Sequence, residues 1–266
     1  MNSFTASGGC DPSEPSEWTL FERACSSTHF YSEATSNSDC VRQRTPIDLD
    51  YYFTHLPDFR NASHRIPETP RLEAPWDPEA RTVSVSAWFS LAGAVNLRTP
   101  TCEQIQAAEA EALAGPPSAL AAVADAVSQG RLKLPGLRYG VVVFESLTGP
   151  SLHPELSRWL WRTFQAPLVR QVRGFQGELL AAECETRDGL HIPPSAYWEH
   201  ECGRLLVTSF RNLRYPVARL RTRLGGELDW EKCACGHTSA RIRELRTWTP
   251  AAQTAANRRL ALAAAS

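Results

Sequence analysis

Cys184-Glu-Thr-Arg-Asp-Gly-Leu-His191 and, after a gap of about forty residues, Cys233-Ala-Cys235-Gly-His237 form the two halves of one signal. Together they set three cysteines and a histidine as C-x6-H followed by C-x-C. Thiolate sulfur and imidazole nitrogen are the soft and borderline donors that tetrahedral Zn2+ takes, and a Cys3His set with no vacancy is a structural site rather than a catalytic one. The stretch between them includes Gly203-Arg-Leu-Leu-Val-Thr-Ser-Phe210 and an arginine-rich run, and has room for a strand pair. A metal held by Cys184, His191, Cys233 and Cys235 would therefore tie together the two ends of a small β-subdomain. The competing reading is plain burial, because free cysteines are common in cores. A C-x-C-G with a third cysteine and a histidine on another segment is harder to assign to packing. His237, Cys202 and His200 are further donors, and spacing does not separate them from the set.

Upstream of this signal the pattern is α/β. Arg81-Thr-Val-Ser-Val-Ser-Ala-Trp-Phe89 alternates valine and serine and predicts a strand. Thr101 to Leu113, rich in Ala and Glu, predicts a helix; a second runs to about Gln129, with Ser118 as its cap. Leu137 to Glu145 is a near-continuous apolar run of the kind buried in parallel sheets. Pro154 to Phe164 puts Leu156, Trp159, Leu160 and Phe164 on one helical face, and Leu168 to Arg173 follows as a strand. Repetition of strand, helix, strand argues an α/β sheet. Nearer the N-terminus, Glu17 to Cys25 and Asp48 to Leu56 read as short helices separated by a polar loop, and residues 57–80 carry five prolines and read as an extended connection. The expected organisation is a disordered tail over 1–16, an α/β core over 17–202, a β-subdomain over 203–250 that closes the metal site, and a helical tail over 251–266.

Composition narrows the function. The 266 residues are 42% hydrophobic and 21% charged with a net charge of -1, an ordinary globular balance without the basic surface that nucleic acid requires. No apolar run approaches the roughly 20 residues needed to span a bilayer, and the first residues lack the basic and apolar regions of a secretory signal. Eight cysteines without such a signal point to a reducing cytoplasm, where metal sites outnumber disulfides. Lys133 and Lys232 are the only lysines, which leaves any lysine chemistry two candidates.

Several further motifs resemble, in order, those of the phenylacetate-CoA ligase branch of the adenylate-forming (AMP-ligase) superfamily. Gly115-Pro-Pro-Ser118 is similar to the family's T-P-S helix start, Phe144-Glu145-Ser to its G-E turn, and Gly174-Phe-Gln-Gly-Glu178 to its Y-G-x-T-E. Cys184 to His191 is similar to its E-C-x(n)-D-G-L-H, Gly203 to Thr208 to G-E-L-V-x-T, Pro216 to Thr222 to P-x-x-R-Y-R-T, and Cys233-Ala-Cys-Gly to the C-x-C-G that follows. The resemblance covers residues 115 to 242. It implies a partial adenylate-forming N-terminal domain, a mostly parallel sheet with helices, plus the zinc-stapled β-subdomain; members of this branch hold zinc with a matching Cys/His set. Three departures concern nucleotide chemistry. The family's glycine-rich phosphate loop is matched by Thr35-Ser-Asn-Ser-Asp-Cys40, which has no glycine and adds a carboxylate. The family's ribose-binding Asp is matched by Leu224, and its C-terminal lid with the catalytic lysine is expected to be absent, since no lysine follows Lys232. ATP and Mg2+ are therefore not expected as cofactors, whereas a structural Zn2+ is.

The expectation is a small-molecule biosynthetic enzyme that acts on an acyl or aryl carboxylic acid derivative or acyl thioester, free or carried on CoA or a carrier protein, by cyclisation, condensation or acyl transfer. Glu178, at the place of the family's Mg2+-associated glutamate, and Glu145 are the candidate acid–base groups; Trp88, Phe89 and Phe175 are candidate pocket residues. Against these stand a salt-bridged role for Glu178 and core packing for the aromatics. Two alternatives share the fold: a non-catalytic subunit that offers Arg211, Arg214, Arg219, Arg221 and Arg223 to an acidic carrier or a partner ligase, and an AMP-forming ligase completed in trans. No membrane or nucleic-acid partner is expected, and a homodimer is compatible with the sequence.

Overall fold

The computed structural model describes residues 17–33, 45–63 and 69–250. The expected tails and the stretch matched to the phosphate loop, 35–40, lie outside the described residues. Among the described residues, thirteen strands form two sheets. The larger begins with β2 (Thr82–Ser84), β3 (Ala94–Asn96), β4 (Ala112–Gly115), β5 (Gly140–Ser146) and β6 (Leu168–Arg173), which pair in parallel in the order β3-β2-β4-β5-β6. It continues antiparallel through β7 (Leu179–Glu183), β8 (Leu190–His191), β13 (Arg241–Thr247) and β12 (Leu224–Asp229). The smaller sheet, in the order β1-β11-β10-β9, comprises β1 (Ile47–Asp48), β9 (Ala196–Glu201), β10 (Arg204–Ser209) and β11 (Val217–Arg221).

The large sheet is thus mixed rather than mostly parallel, and the reason is local. After β6 the chain folds back through the tight turn 174–177, where Gly177 holds φ +86°, instead of crossing over through a helix. The stretch 203–250 supplies β10 and β11 to the small sheet and β12 and β13 to the large one, and position 202/203 falls in the turn of the β9–β10 hairpin.

Alternation along β5 assigns the faces. Val141 and Val143 pack against α5 (Pro117–Ser128) and α6 (Pro154–Phe164), with Leu120, Val123, Leu160 and Phe164. Val142 and Phe144 point the other way, where residues 72–76 cover them with Leu72, Ala74 and Trp76. The antiparallel half packs against the small sheet and against α1 (Glu17–Ser26), α2 (His29–Glu33) and α3 (Leu49–Thr54), through Phe21, Tyr31, Tyr52, Leu180, Trp198 and Leu220. Trp198 adds a directional tie, its indole N–H donating to the Leu180 carbonyl at 2.9 Å.

Four expectations need correction. The Ala/Glu-rich stretch 101–113 is not one helix: α4 covers only Cys102–Ala107, Glu109 takes φ 47°, and Ala112–Gly115 is a fully buried strand. Small side chains are what β4 requires, since a Cβ on Gly115 would stand 2.7 Å from Val85 Cγ2, so packing overrides the helix propensity of alanine. Ser118 does not cap α5, whose N-cap is Pro116 with proline at the first turn. The strand expected over 81–89 closes at Ser84, and its serines are as buried as its valines. Within the polar loop after α1, Tyr31 is buried and builds the short α2 around itself. Among the described residues no helix is long and apolar enough to cross a membrane.

Candidate functional site

The donor cluster is assembled by strands rather than by loops alone. His191 lies in β8, fixed between Ala182 of β7 and Arg241 of β13. Cys184 directly follows β7, and Cys233 and Cys235 occupy the turn between β12 and β13. That turn is held by the Cys233 N–H donating to the His237 carbonyl at 3.2 Å and the Gly236 N–H donating to the Cys233 carbonyl at 3.0 Å, with Gly236 at φ +91°. The ligating atoms of Cys184, His191, Cys233 and Cys235 all lie within 4.8 Å of one another. His237 is a neighbour, its ring 5.3 Å from that of His191, while Cys202 and His200 sit in the β9–β10 hairpin outside the group.

The donors fit a tetrahedral ion. Cys184 Sγ and Cys233 Sγ are 3.8 Å apart, and Cys235 Sγ is 3.3 Å from His191 Nε2. A tetrahedron with Zn–S bonds of about 2.3 Å has an S···S edge of about 3.8 Å. His191 Nδ1 is 3.0 Å from Ser239 Oγ, which orients the ring and leaves Nε2 for a cation. The Thr186 hydroxyl, and then the Cys235 N–H, stabilise the Cys233 thiolate and bring its pKa down to about 5. For Cys235 the His237 N–H acts in the same sense, but desolvation, hydrogen bonding with Cys233 and Cys184 and the charge of Cys184 outweigh it and push the thiol up. Crowded thiols that resist common ionisation are what a cation relieves. The cluster can hold a metal ion.

The second candidate site lies at the turn after β6. Glu178 is buried, and its carboxylate folds back over Gly174, where a Cβ would collide with it. Its Oε2 accepts the Gln176 N–H at 2.9 Å and its Oε1 the Ser209 hydroxyl at 3.3 Å. Desolvation pushes its pKa up, opposed by these hydrogen bonds and by Arg173. Arg173, itself brought down to about 10 by burial, donates to the carbonyls of Gly177 and Arg71. Phe175 stacks on Tyr52 at 5.6 Å and meets Phe53 edge-on at 5.0 Å, while Phe89 closes the other side over Gly177 and against Phe144. Burial, with the Glu178 charge, also raises Tyr52.

Of the residues named from sequence, the structure thus gathers Glu178, Phe175 and Phe89 at one turn. Glu145 stands elsewhere: Arg170 Nε donates to its Oε1 at 2.6 Å and the Leu152 N–H to its Oε2 at 3.0 Å, so both oxygens anchor the approach to α6. Trp88 is 67% exposed. Two open clefts are described, one of 1230 Å³ bordered by Trp76, Gln171, His191 and Cys235, and one of 470 Å³ beside Trp161; none of the five candidate residues lines either. Within the arginine run, Arg219 pairs with Glu199 and Arg221 with Glu201 and Asp48. Leu224 is fully buried in the core. Sequence reasoning passed over Tyr52 and Ser209, which approach Glu178 only through tertiary contacts, and Arg173, which meets it across the β6–β7 hairpin.

No protein-family profile matches this sequence, and no curated protein is recognisably similar to it. Among solved structures, 2-hydroxyisobutyryl-CoA ligase in complex with 2-HIB-AMP and CoA, in its thioesterification state, superposes with a TM-score of 0.61 at 14% identity, over 86% of this chain and 67% of that one. An open conformation of the same ligase gives 0.58 at 12% identity, over 91% and 74%. In fold, this chain resembles a large part of that CoA ligase. The likeness is one of architecture: the two carboxylates and the Cys/His cluster are placed by this chain's own contacts.

Proposed function

We propose that this chain acts on an acyl or aryl carboxylic acid derivative, in the form of an acyl thioester, and does so without ATP. What carries the reading is Glu178, a buried carboxyl with a raised pKa, set among aromatic rings in a fold shared with a CoA ligase. Burial raises its pKa, and such a group can accept a proton from an attacking group when ionised and donate one to a leaving thiolate when protonated. Ser209 and the Gln176 N–H orient it, and the Phe175, Tyr52 and Phe89 rings exclude water from it. Burial of Leu224 at the position matched to a ribose-binding carboxylate supports the absence of nucleotide chemistry. The Cys184, His191, Cys233 and Cys235 set holds a structural Zn2+, which when bound ties β7, β8 and the β12–β13 turn together. Incubation with a panel of acyl- and aryl-CoA thioesters, followed by mass spectrometry, tests the reading. Glu178→Gln is expected to lower turnover about 10^2- to 10^4-fold in a protein that stays folded. Undiminished turnover in that variant would remove the carboxylate from the mechanism.

One observation favours a second reading, a binding subunit without catalysis. Both oxygens of Glu178 and of Glu145 are already engaged by the protein, and neither residue borders a described cleft. Saturable binding of an acyl thioester with no product across the panel would decide for it.

A further inference from the structure

The two segments that carry the metal donors are joined by more than the donors. Asp188 lies in the first, between Cys184 and His191, and Asp229 ends β12 just ahead of Cys233. Arg241, 2% exposed, stands directly across the ladder from His191 and forks between the two aspartates. Its Nη1 donates to Asp188 Oδ2 at 2.8 Å and to the Asp188 carbonyl at 3.2 Å, and its Nη2 pairs with Asp229. Arg243, two residues along the same face, repeats the bridge, 2.6 Å to Asp188 Oδ1 and 3.4 Å to Asp229 Oδ2. Asp229 also accepts the Glu231 N–H at 2.8 Å and so sets the entry to the Cys233–Cys235 turn. Two cations and two anions thereby cross-link both donor segments, and Arg241 also lies within hydrogen-bonding reach of the Cys233 sulfur.

We infer that Arg241 is the positioning residue of the metal centre: it holds the two donor segments in register independently of the ion, so that the metal enters and leaves a pre-formed site. The geometry has the features this requires. The guanidinium is planar and forked, its two arms reach one aspartate in each segment, and its burial removes the water that would compete for them. A lysine offers one point charge and cannot span both. The inference rests on the reading of the Cys/His cluster as a metal site. It extends that reading from which atoms bind the ion to what places them.

The test uses the full chain, stripped with a chelator and titrated with Zn2+ or Co2+ against a chromogenic competitor. Arg241→Met, which keeps the volume and removes the fork, is expected to weaken metal binding about 10- to 100-fold and to speed release, with Arg241→Lys between it and wild type. The visible bands of the Co2+ form, which report tetrahedral thiolate geometry, should shift or weaken in Arg241→Met. In the stripped wild type, amide hydrogen exchange over β8 and β13 should remain protected. Should Arg241→Met fail to fold, Asp188→Asn keeps the Arg241–Asp229 pair and must still weaken binding several-fold; unchanged binding there overturns the inference. Equal affinity in Arg241→Met and wild type overturns it as well, as does loss of all β8 and β13 protection on stripping. A wild type that binds neither ion removes the metal reading and this inference together, and is distinguishable from a wild type and variant that bind alike.

Discussion

Glu178 sits where a carboxylate is costly, and its surroundings show how the chain tolerates it. Burial lifts its pKa above the ordinary carboxyl value of about 4.3, so between the unfolded and folded values the native state holds a proton that the unfolded chain has released. The resulting contribution to stability is complete below the unfolded pKa and is lost as pH rises through the folded one. Glu178→Gln keeps the shape without the charge, so its melting temperature is expected to exceed that of wild type by a margin that grows as pH rises from about 4 toward 8. Differential scanning fluorimetry across that range checks this, and a margin that shrinks with pH contradicts it. Gly174 supplies a companion test, because its missing Cβ is the space the carboxylate fills. Gly174→Ala should destabilise by about 1–3 kcal/mol in the wild type and by less in a Glu178→Ala background, which a double-mutant cycle in urea measures. At this scale the clustering of Cys184, His191, Cys233 and Cys235 was legible, since donor residue types are written in local spacing. Arg241 was not: nothing in the sequence links it to Asp188, 53 residues away, until β13 is laid beside β8.

Elements were legible where their periodicity was strong and their ends were marked. The helix Pro154–Phe164 and the strand Leu168–Arg173 have the limits their sequences imply, the helix opening on a proline after the His153 cap and closing at Gln165 in the left-handed region. The Ala/Glu stretch was misread because alanine serves two masters, a helix by propensity and a crowded central strand by size. The helix starts show the same contrast. Thr101 makes a complete capping box with Gln104, its hydroxyl accepting the Gln104 N–H while the Gln104 side chain accepts the Thr101 N–H. Ser118 makes no cap bond and lies one residue inside a helix whose start is set by Pro117. Thr101→Ala should therefore cost about 1 kcal/mol by denaturant unfolding, and Ser118→Ala should stay within about 0.5 kcal/mol of wild type. A larger loss at Ser118 than at Thr101 would reverse this account of how α4 and α5 begin.

For the whole molecule, the sequence conveyed an α/β sheet with a β-rich second half but not how the halves join. The strands after Arg204 alternate between two sheets, β10 and β11 in the small one and β12 and β13 in the large one, and such long-range pairing leaves little trace in local pattern. One consequence bears on nucleotide. β12 begins at Leu224, fully buried between the sheets, so the position that resemblance matches to a ribose-binding carboxylate faces packed hydrocarbon. A charge there would have to be desolvated without a partner. ATP with Mg2+ is therefore expected to leave the melting temperature unchanged, whereas an accepted acyl- or aryl-CoA thioester should raise it saturably. A ligand at a hundred times its Kd stabilises by about 2.7 kcal/mol, a shift of several degrees for a chain of this size. Fluorimetry with both ligand classes on the same zinc-loaded preparation makes the comparison internal. A saturable shift with ATP and none with any thioester would overturn the non-nucleotide reading and return the chain to adenylation chemistry, with Leu224→Asp then expected to strengthen nucleotide binding rather than unfold the core.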